Sequence, residues 1–282
     1  MKILILGSAG QIGAYLSEYL EKKDYEVLEF DILNASMQDL TTIPNSYLDK
    51  CISESDFVYF LAFDVGGSRY LKKYQNTFEF INNNSRIMVN TFDYLSKYKK
   101  PFVFASSQMS NMSFSPYGVL KNVGELYTKS LSGLTVKFWN VYGIEKDMEK
   151  AHVITDFIRK GFEDKEFQML TDGQEEREFL YAEDCCEALE KILLHYEELD
   201  PNDELHITSF HSNKILEIAK IIENLFTKHG QKIKINKGKD KDLVQRSHKN
   251  KPSKYITAWW QPKTNIEEGI EKVFNFMKKQ YS

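Results

Sequence analysis

The chain opens on a short apolar run, Lys2 and then Ile3 to Leu6, that passes straight into Gly7-Ser8-Ala9-Gly10-Gln11-Ile12-Gly13 and on into an amphipathic stretch. Few arrangements satisfy that order. Gly7 lets the main chain turn sharply out of a strand, Gly10 lets the backbone approach a pyrophosphate, and Gly13 lets a helix pack closely on the strand. The helix N-terminus then faces negative charge. A glycine-rich string alone can be a structural turn; set between a strand and a helix, it reads as a dinucleotide-binding turn.

The rest of the chain extends that pattern. Strand-length apolar runs at 2–6, 26–30, 57–62, 101–105 and 134–139 alternate with helical periodicity at 11–22, 84–98 and 117–130. This alternation predicts an α/β fold, a Rossmann-type doubly wound parallel sheet with helices on both faces. After about residue 145 the alternation loosens, with helices expected at 184–196 and 214–228. The expected division is therefore a dinucleotide-binding domain over 1–145, joined by a late strand and helix from about 175–210, and a smaller C-terminal substrate-binding lobe over 146–282. No internal repeat argues for a solenoid.

Bulk composition narrows the function classes. A length of 282 residues supports a real core, and the formal net charge of −4 does not point to nucleic acid. The lysines between 232 and 254 read as a solvated loop. Cys51, Cys185 and Cys186 have neither zinc-ligand spacing nor a matching histidine cluster, so no metal is expected and reduced cytoplasmic thiols are the simple reading. The apolar start is too brief for a signal peptide, and no stretch approaches a membrane span.

Two further sites carry chemistry. Eighteen residues after Gly13, the second strand ends at Asp31, whose carboxylate can accept hydrogen bonds from an adenosine ribose or simply cap a turn. It repels a 2′-phosphate, and no arginine or lysine follows in 32–39, so NAD is favoured over NADP. The fourth strand ends in Ala105-Ser106-Ser107, and ten residues on stands Tyr117-Gly118-Val119-Leu120-Lys121. Tyrosine and lysine four apart share a helix face. A neighbouring ammonium should lower the phenol's pKa, making Tyr117 a general base while Ser107 holds the same substrate oxygen.

These residues, with VYFLAFDVGG, FASS, YGVLK, VKFWNVYG, DGQEEREFLYAEDC and AWWQPKTNIEEGI, resemble the extended short-chain dehydrogenase/reductase family and its NAD-dependent nucleotide-sugar epimerases and dehydratases. FLAFDVGG, INNNSRIMVN and the stretch ending EKAH are most similar to GDP-mannose 3,5-epimerases. The resemblance implies Ser107, Tyr117 and Lys121 as catalytic residues. It implies NAD held by Gly7, Gly10, Gln11, Ile12, Gly13, Asp31, Asp39, Leu40, Leu61, Ala62, Asn84, Tyr117 and Lys121, although Asp39-Leu40 also reads as a plain turn. It places Gly66 and Gly67 beside the sugar, Asn140 near the sugar or its phosphate, and Arg177 on the diphosphate. Arg246 is a weaker diphosphate candidate or a surface residue. Lys150 falls at an acid/base lysine, or is an exposed helix-start charge.

Departures from the family pattern matter equally. The partner acid/base cysteine of the 3,5-epimerase falls at Met109, which cannot move protons. Dehydratases carry an Asp-Glu pair where this chain has Gln108 and Met109. The segment from Ser107 to Tyr117 is short, which implies a more open pocket or closure by another loop or a partner subunit. The implied reaction is epimerisation through transient oxidation of a sugar carbon, C4 foremost. The alternatives are a 4-keto-sugar reductase or dehydratase, and a non-catalytic cofactor-binding regulator. Relatives often pair the helices after Phe92 and Tyr117, so a homodimer is expected.

Overall fold

Strand β1 (Lys2–Leu6) is apolar along almost its whole length, because both faces of the sheet are covered. Ile3 and Ile5 point into one buried cluster, while Leu4 and Leu6 point into another. The computed structural model describes residues 1–240 and 251–281. In chain order the leading elements are β1, α1 (Gln11–Glu21), β2 (Glu26–Phe30), α2 (Ser46–Glu54), β3 (Phe57–Phe60), α3 (Ser68–Tyr74), α4 (Phe78–Tyr98), β4 (Phe102–Ser107), α5 (Pro116–Ser130) and β5 (Leu134–Phe138). They continue through β6 (Asn140–Tyr142), α6 (Val153–Glu163), β7 (Glu166–Gln168), β8 (Glu176–Tyr181), α7 (Ala182–Leu194), β9 (Leu205–Ile207), β10 (Ser212–Lys214), α8 (Ile215–Lys228), β11 (Lys234–Asn236) and α9 (Ile266–Gln280).

The central sheet is parallel throughout, in the order β2-β1-β3-β4-β5-β9. The chain leaves β1 for β2 on one side and returns to β3 on the other. The order therefore reverses between β1 and β3, and the crevice beyond their carboxyl ends is where ligands sit in such sheets. Side chains along β3 and β4 alternate as in β1. Tyr59 and Val103 face a cluster with Cys185, Cys186 and Leu189 of α7, and Phe60, Phe102 and Phe104 face one with Phe92 of α4. Gly124 lets α5 lie against the Phe104 ring.

The second lobe has its own core, where Phe157 of α6, Phe226 of α8 and Phe274 of α9 close over Tyr142, Phe179 and Tyr181. Its sheet runs β10-β8-β6, and a further pair joins β11 to β7. The α/β doubly wound class expected from the alternation is what the structure has. The helix expected to begin at 84 begins six residues earlier, at Phe78, because the Thr77 side chain accepts from the Phe80 N–H and caps it there. Arg246 lies outside the described residues. Among the described residues no helix is long and apolar enough to cross a membrane.

Candidate active site

At the switch point, the glycine-rich turn is shaped by contacts that leave no room for side chains. Gly7 takes a left-handed φ of 91°, and a Cβ there would stand 2.7 Å from the Ala62 nitrogen just beyond β3. A Cβ on Gly13 would overlap the Gly7 carbonyl oxygen. Gly10 is the N-cap of α1, which has no side-chain cap and no acidic residue in its first turn. Its leading N–H groups and its positive dipole end are therefore available to an anion. The Gln11 side-chain Nε2 is buried with no hydrogen-bond partner among the described residues. These features fit a dinucleotide pyrophosphate.

Asp31, the residue after β2, braces this turn. Its carboxylate accepts from the Ala9 N–H at 3.0 Å and from the Leu33 N–H at 2.9 Å. Both bonds leave acceptor capacity on the two oxygens for ribose hydroxyls. Asp39 and Leu40 sit further along the same loop. The Asp39 carboxylate takes the Thr41 N–H and hydroxyl, each at 2.8 Å, while Leu40 is a core residue whose carbonyl accepts from Asn90. Leu61 and Ala62 follow β3, and the Leu61 N–H is bonded to the Leu6 carbonyl. Asn84, fully buried on α4, accepts from the Asp64 N–H at 2.7 Å and donates to the Asp64 and Phe80 carbonyls. It acts on the loop after β3.

The structure brings Ser107, Tyr117 and Lys121 together at the carboxyl end of β4. Ser107 is the last residue of that strand, and its hydroxyl accepts from the Met109 N–H at 3.1 Å and hydrogen-bonds Tyr117. Helix α5 starts at Pro116 under the Ser115 cap, which presents Tyr117 in the first turn and Lys121 one turn later. The Lys121 Nζ donates to the Ala105 carbonyl at 2.6 Å and lies 3.7 Å from the Phe63 ring centroid. It stands 5.9 Å from the centre of the Tyr117 ring.

The electrostatics correct one expectation. Burial pushes the Tyr117 phenol up to about 12, against a smaller downward pull from the Ser107 hydrogen bond. Burial also pulls the Lys121 amine down to about 7, with Glu125 opposing. Desolvation outweighs the attraction of ammonium for phenolate, so in the protein alone both groups favour their neutral forms. Of the alternatives expected around the short segment, an open pocket or closure by another loop or a partner subunit, the chain shows cover from its own segments over Tyr117. The short connection after Ser107 folds into a 3₁₀ turn whose Met109 and Met112 cover Tyr117, and Phe63, Val65, Tyr70 and Leu71 complete the wall.

The residues expected at the sugar converge from both lobes. A Cβ on Gly66 would press on the Lys150 Cα at 2.9 Å, and one on Gly67 on the Ala151 carbonyl at 2.6 Å. Lys150 is ion-paired to Asp64 at 2.8 Å, and Tyr70 donates to the same carboxylate oxygen at 2.7 Å. Asp64, Phe63 and the His152–Glu145 pair were not singled out from the sequence. Phe63 and Asp64 lie inside FLAFDVGG and His152 closes EKAH, but chain spacing does not reveal what faces them. Asn140 and Arg177 line a cavity of ≈ 110 Å³ between β6, β8 and α6. There the Asn140 amide donates to the Glu178 carbonyl at 3.3 Å, and Arg177 donates to the Glu176 carbonyl at 2.8 Å.

Comparison with known proteins agrees with this geometry. The family model for the NAD dependent epimerase/dehydratase family matches residues 3–208. A putative UDP-glucose 4-epimerase of Methanocaldococcus jannaschii is 25% identical over 307 residues, covering 98% of each chain. Among solved structures, the UDP-glucuronic acid 4-epimerase from Bacillus cereus, in complex with UDP-glucuronic acid and NAD, aligns over 100% of both chains with a TM-score of 0.83 at 21% identity. A GDP-6-OMe-4-keto-L-xylo-heptose reductase from C. jejuni aligns over 99% of this chain and 98% of its own, with a TM-score of 0.84 at 17% identity. At such identities the structural likeness speaks for the fold.

Proposed function

The chain belongs to the NAD dependent epimerase/dehydratase family, and on that premise we propose that it is a nucleotide-sugar epimerase acting by transient oxidation of a sugar carbon, C4 foremost. The observation that carries the reading is the joining of Ser107, Tyr117 and Lys121 at the mouth of a dinucleotide crevice. When bound in this crevice, NAD would supply a reversible hydride acceptor. The Tyr117 oxygen takes the proton of the sugar hydroxyl as the carbon loses its hydride, and gives it back on reduction. Ser107 holds the same oxygen with its hydroxyl. Lys121, when protonated, stabilises the phenolate across the low-dielectric gap.

The surroundings of Tyr117 favour presentation of the keto sugar on its opposite face over proton abstraction from a neighbouring carbon. Met109 is buried 3% exposed beside the phenol, and its thioether cannot act as acid or base. With Gln108 before it, the pair also lacks the acid that eliminates water. This speaks against 3,5-epimerisation and against 4,6-dehydration. The nucleotide end is assigned to the ≈ 110 Å³ cavity, with Arg177 toward the diphosphate.

A second copy of the chain completes the proposal. Phe78, Ile81 and Val89 of α4, with Val119, Leu126 and Tyr127 of α5, are exposed apolar side chains on adjacent helices. Such a patch fits pairing of the two helices with their equivalents.

Replacement of Tyr117 by Phe tests the chemistry. With UDP-glucose and UDP-glucuronate as probes, turnover should fall by 10² to 10⁴-fold, the usual contribution of a general base, while NAD stays bound. Unchanged turnover would remove Tyr117 from the mechanism. Stoichiometric loss of nicotinamide absorbance during turnover would instead assign a 4-keto-sugar reductase.

A further inference from the structure

One titratable pair at the second-lobe cavity is not used by the mechanism above. His152 is the N-cap residue of α6, an 11-residue helix, and lines the cavity with Asn140 and Arg177. Glu145 holds it twice. One carboxylate oxygen accepts from the His152 backbone N–H at 2.8 Å, and the other meets the ring Nδ1 at 2.7 Å. The Glu145 side chain is only 6% exposed, so the ring is anchored from inside the protein. Its Nε2 has no hydrogen-bond partner among the described residues. The α6 N-terminus has no side-chain cap either, so its leading N–H groups are not met by a side chain of their own cap residue.

The remaining charges around the cavity are largely matched. Asp156 is held by Arg69 at 3.3 Å, Arg159 at 3.1 Å and Lys160 at 2.7 Å. Asp240 is paired with Lys72 at 2.7 Å, and Glu175 takes the Thr171 hydroxyl at 2.5 Å. A ligand entering here therefore meets the ion-paired Asp156 and Asp240, Glu175 hydrogen-bonded to Thr171, an imidazole with a free edge, the Arg177 guanidinium and a helix head. That combination selects anionic oxygens.

We propose that His152, oriented by Glu145, is a binding residue for the phosphate-bearing part of the substrate, donating from Nε2 to a diphosphate oxygen at the head of α6. The inference rests on the nucleotide-sugar reading above and adds the group that grips the diphosphate. It carries a sign. Burial disfavours the imidazolium, but the Glu145 charge and hydrogen bond more than offset it, so the ring's pKa lies above its ordinary value. Below that pKa both ring nitrogens donate. Above it, the proton kept on Nδ1 by Glu145 leaves a lone pair on Nε2 facing the phosphate. The grip is present at low pH and lost as pH rises through the folded-state value. The other ionisable groups around the ring are Asp156, paired with Arg69, Asp240, paired with Lys72, Lys150, paired with Asp64, Glu175 and Arg177.

The test is calorimetric binding of UDP and GDP, and of uridine and guanosine, to the full chain loaded with NAD. For His152→Ala, affinity for the diphosphate that wild type binds should fall roughly 10- to 100-fold, the range of a charge-assisted hydrogen bond, with nucleoside affinity unchanged. The wild-type diphosphate affinity should decline with rising pH and the variant's should not. His152→Gln, which keeps a neutral donor, should retain part of the affinity without the pH dependence. Glu145→Gln should move the decline to lower pH. Unaltered NAD affinity and melting temperature confirm the fold. Equal loss for nucleoside and diphosphate, or wild-type affinity in both variants, overturns the assignment. If wild type binds neither diphosphate, the nucleotide-sugar reading fails and this inference fails with it; a wild type that binds while His152→Ala matches it sinks the inference alone.

Discussion

Lys121→Met should make the cofactor-free protein more stable at neutral pH while removing its chemistry. The Lys121 amine is buried and drawn down to about 7, whereas a lysine in the unfolded chain titrates near about 10.4. At about 1.4 kcal/mol per pH unit, folding with this amine costs roughly 5 kcal/mol at any pH below 7, where both states carry the proton. Between about 7 and about 10.4 the unfolded chain binds more protons than the folded one, so this cost shrinks as pH rises and vanishes above that window. Methionine has a similar shape and no charge, but it gives up the bond to the Ala105 carbonyl, worth about 1 kcal/mol. The variant should therefore be more stable by about 3 to 4 kcal/mol at pH 6 and less stable by about 1 kcal/mol near pH 10.5. Urea unfolding of dinucleotide-stripped wild type and variant across pH 6 to 10.5 measures the difference directly. A difference that does not depend on pH, or a variant less stable than wild type at pH 6, would refute the claim that desolvation dominates this lysine.

Gly13→Ala would drive a methyl into the Gly7 carbonyl oxygen. It should cost about 3 kcal/mol of stability, the upper end for overpacking, and weaken NAD binding more than tenfold by calorimetry. Leu126→Glu places a charge on the exposed α4–α5 apolar patch; light scattering should report a dimer for wild type and a monomer for the variant, and a monomeric wild type would overturn the proposed pairing. Finally, oxidised and reduced cofactor differ in ring charge beside Tyr117, so the affinity ratio of NAD⁺ to NADH should rise with pH toward tenfold per unit. A ratio flat from pH 6 to 10 in wild type, as expected for Tyr117→Phe, would separate the phenol from the nicotinamide.

The strands of the central sheet were legible because burial on both faces leaves near-continuous apolar runs, and β1, β3 and β4 show that in residues 2–6, 57–60 and 102–107. Helices α2, α6 and α9 were less visible. Helix α2 has nine residues, and its start depends on Asn45 accepting from the Leu48 N–H, a bond that sequence polarity alone does not announce. The start of α4 was hidden by Asn82 and Asn83, which are poor helix formers; the Thr77 cap and burial of Phe80 override them. At the site, chain spacing was enough to place Tyr117 and Lys121 on one helix face, but not to rank burial against charge. Ion pairs such as Lys150–Asp64, 86 residues apart, exist only once the two lobes meet.

The two shifted groups at the centre of the site set an energetic requirement. Burial holds the phenol up, to about 12, and the amine down, to about 7, so it opposes moving a proton from Tyr117 to Lys121. Burial thus works against the phenolate–ammonium pair that the proposed general-base chemistry uses. Burial sets both values, through Phe63, Met109 and Met112 over the phenol and Phe63 and Phe104 over the amine. The same burial makes any added positive charge act through a low dielectric, where its effect on the phenol is largest. Under the proposed mechanism, Tyr117 would stay protonated until an oxidised nicotinamide ring and a substrate hydroxyl were both in place. Proton removal would then be coupled to occupancy by burial itself.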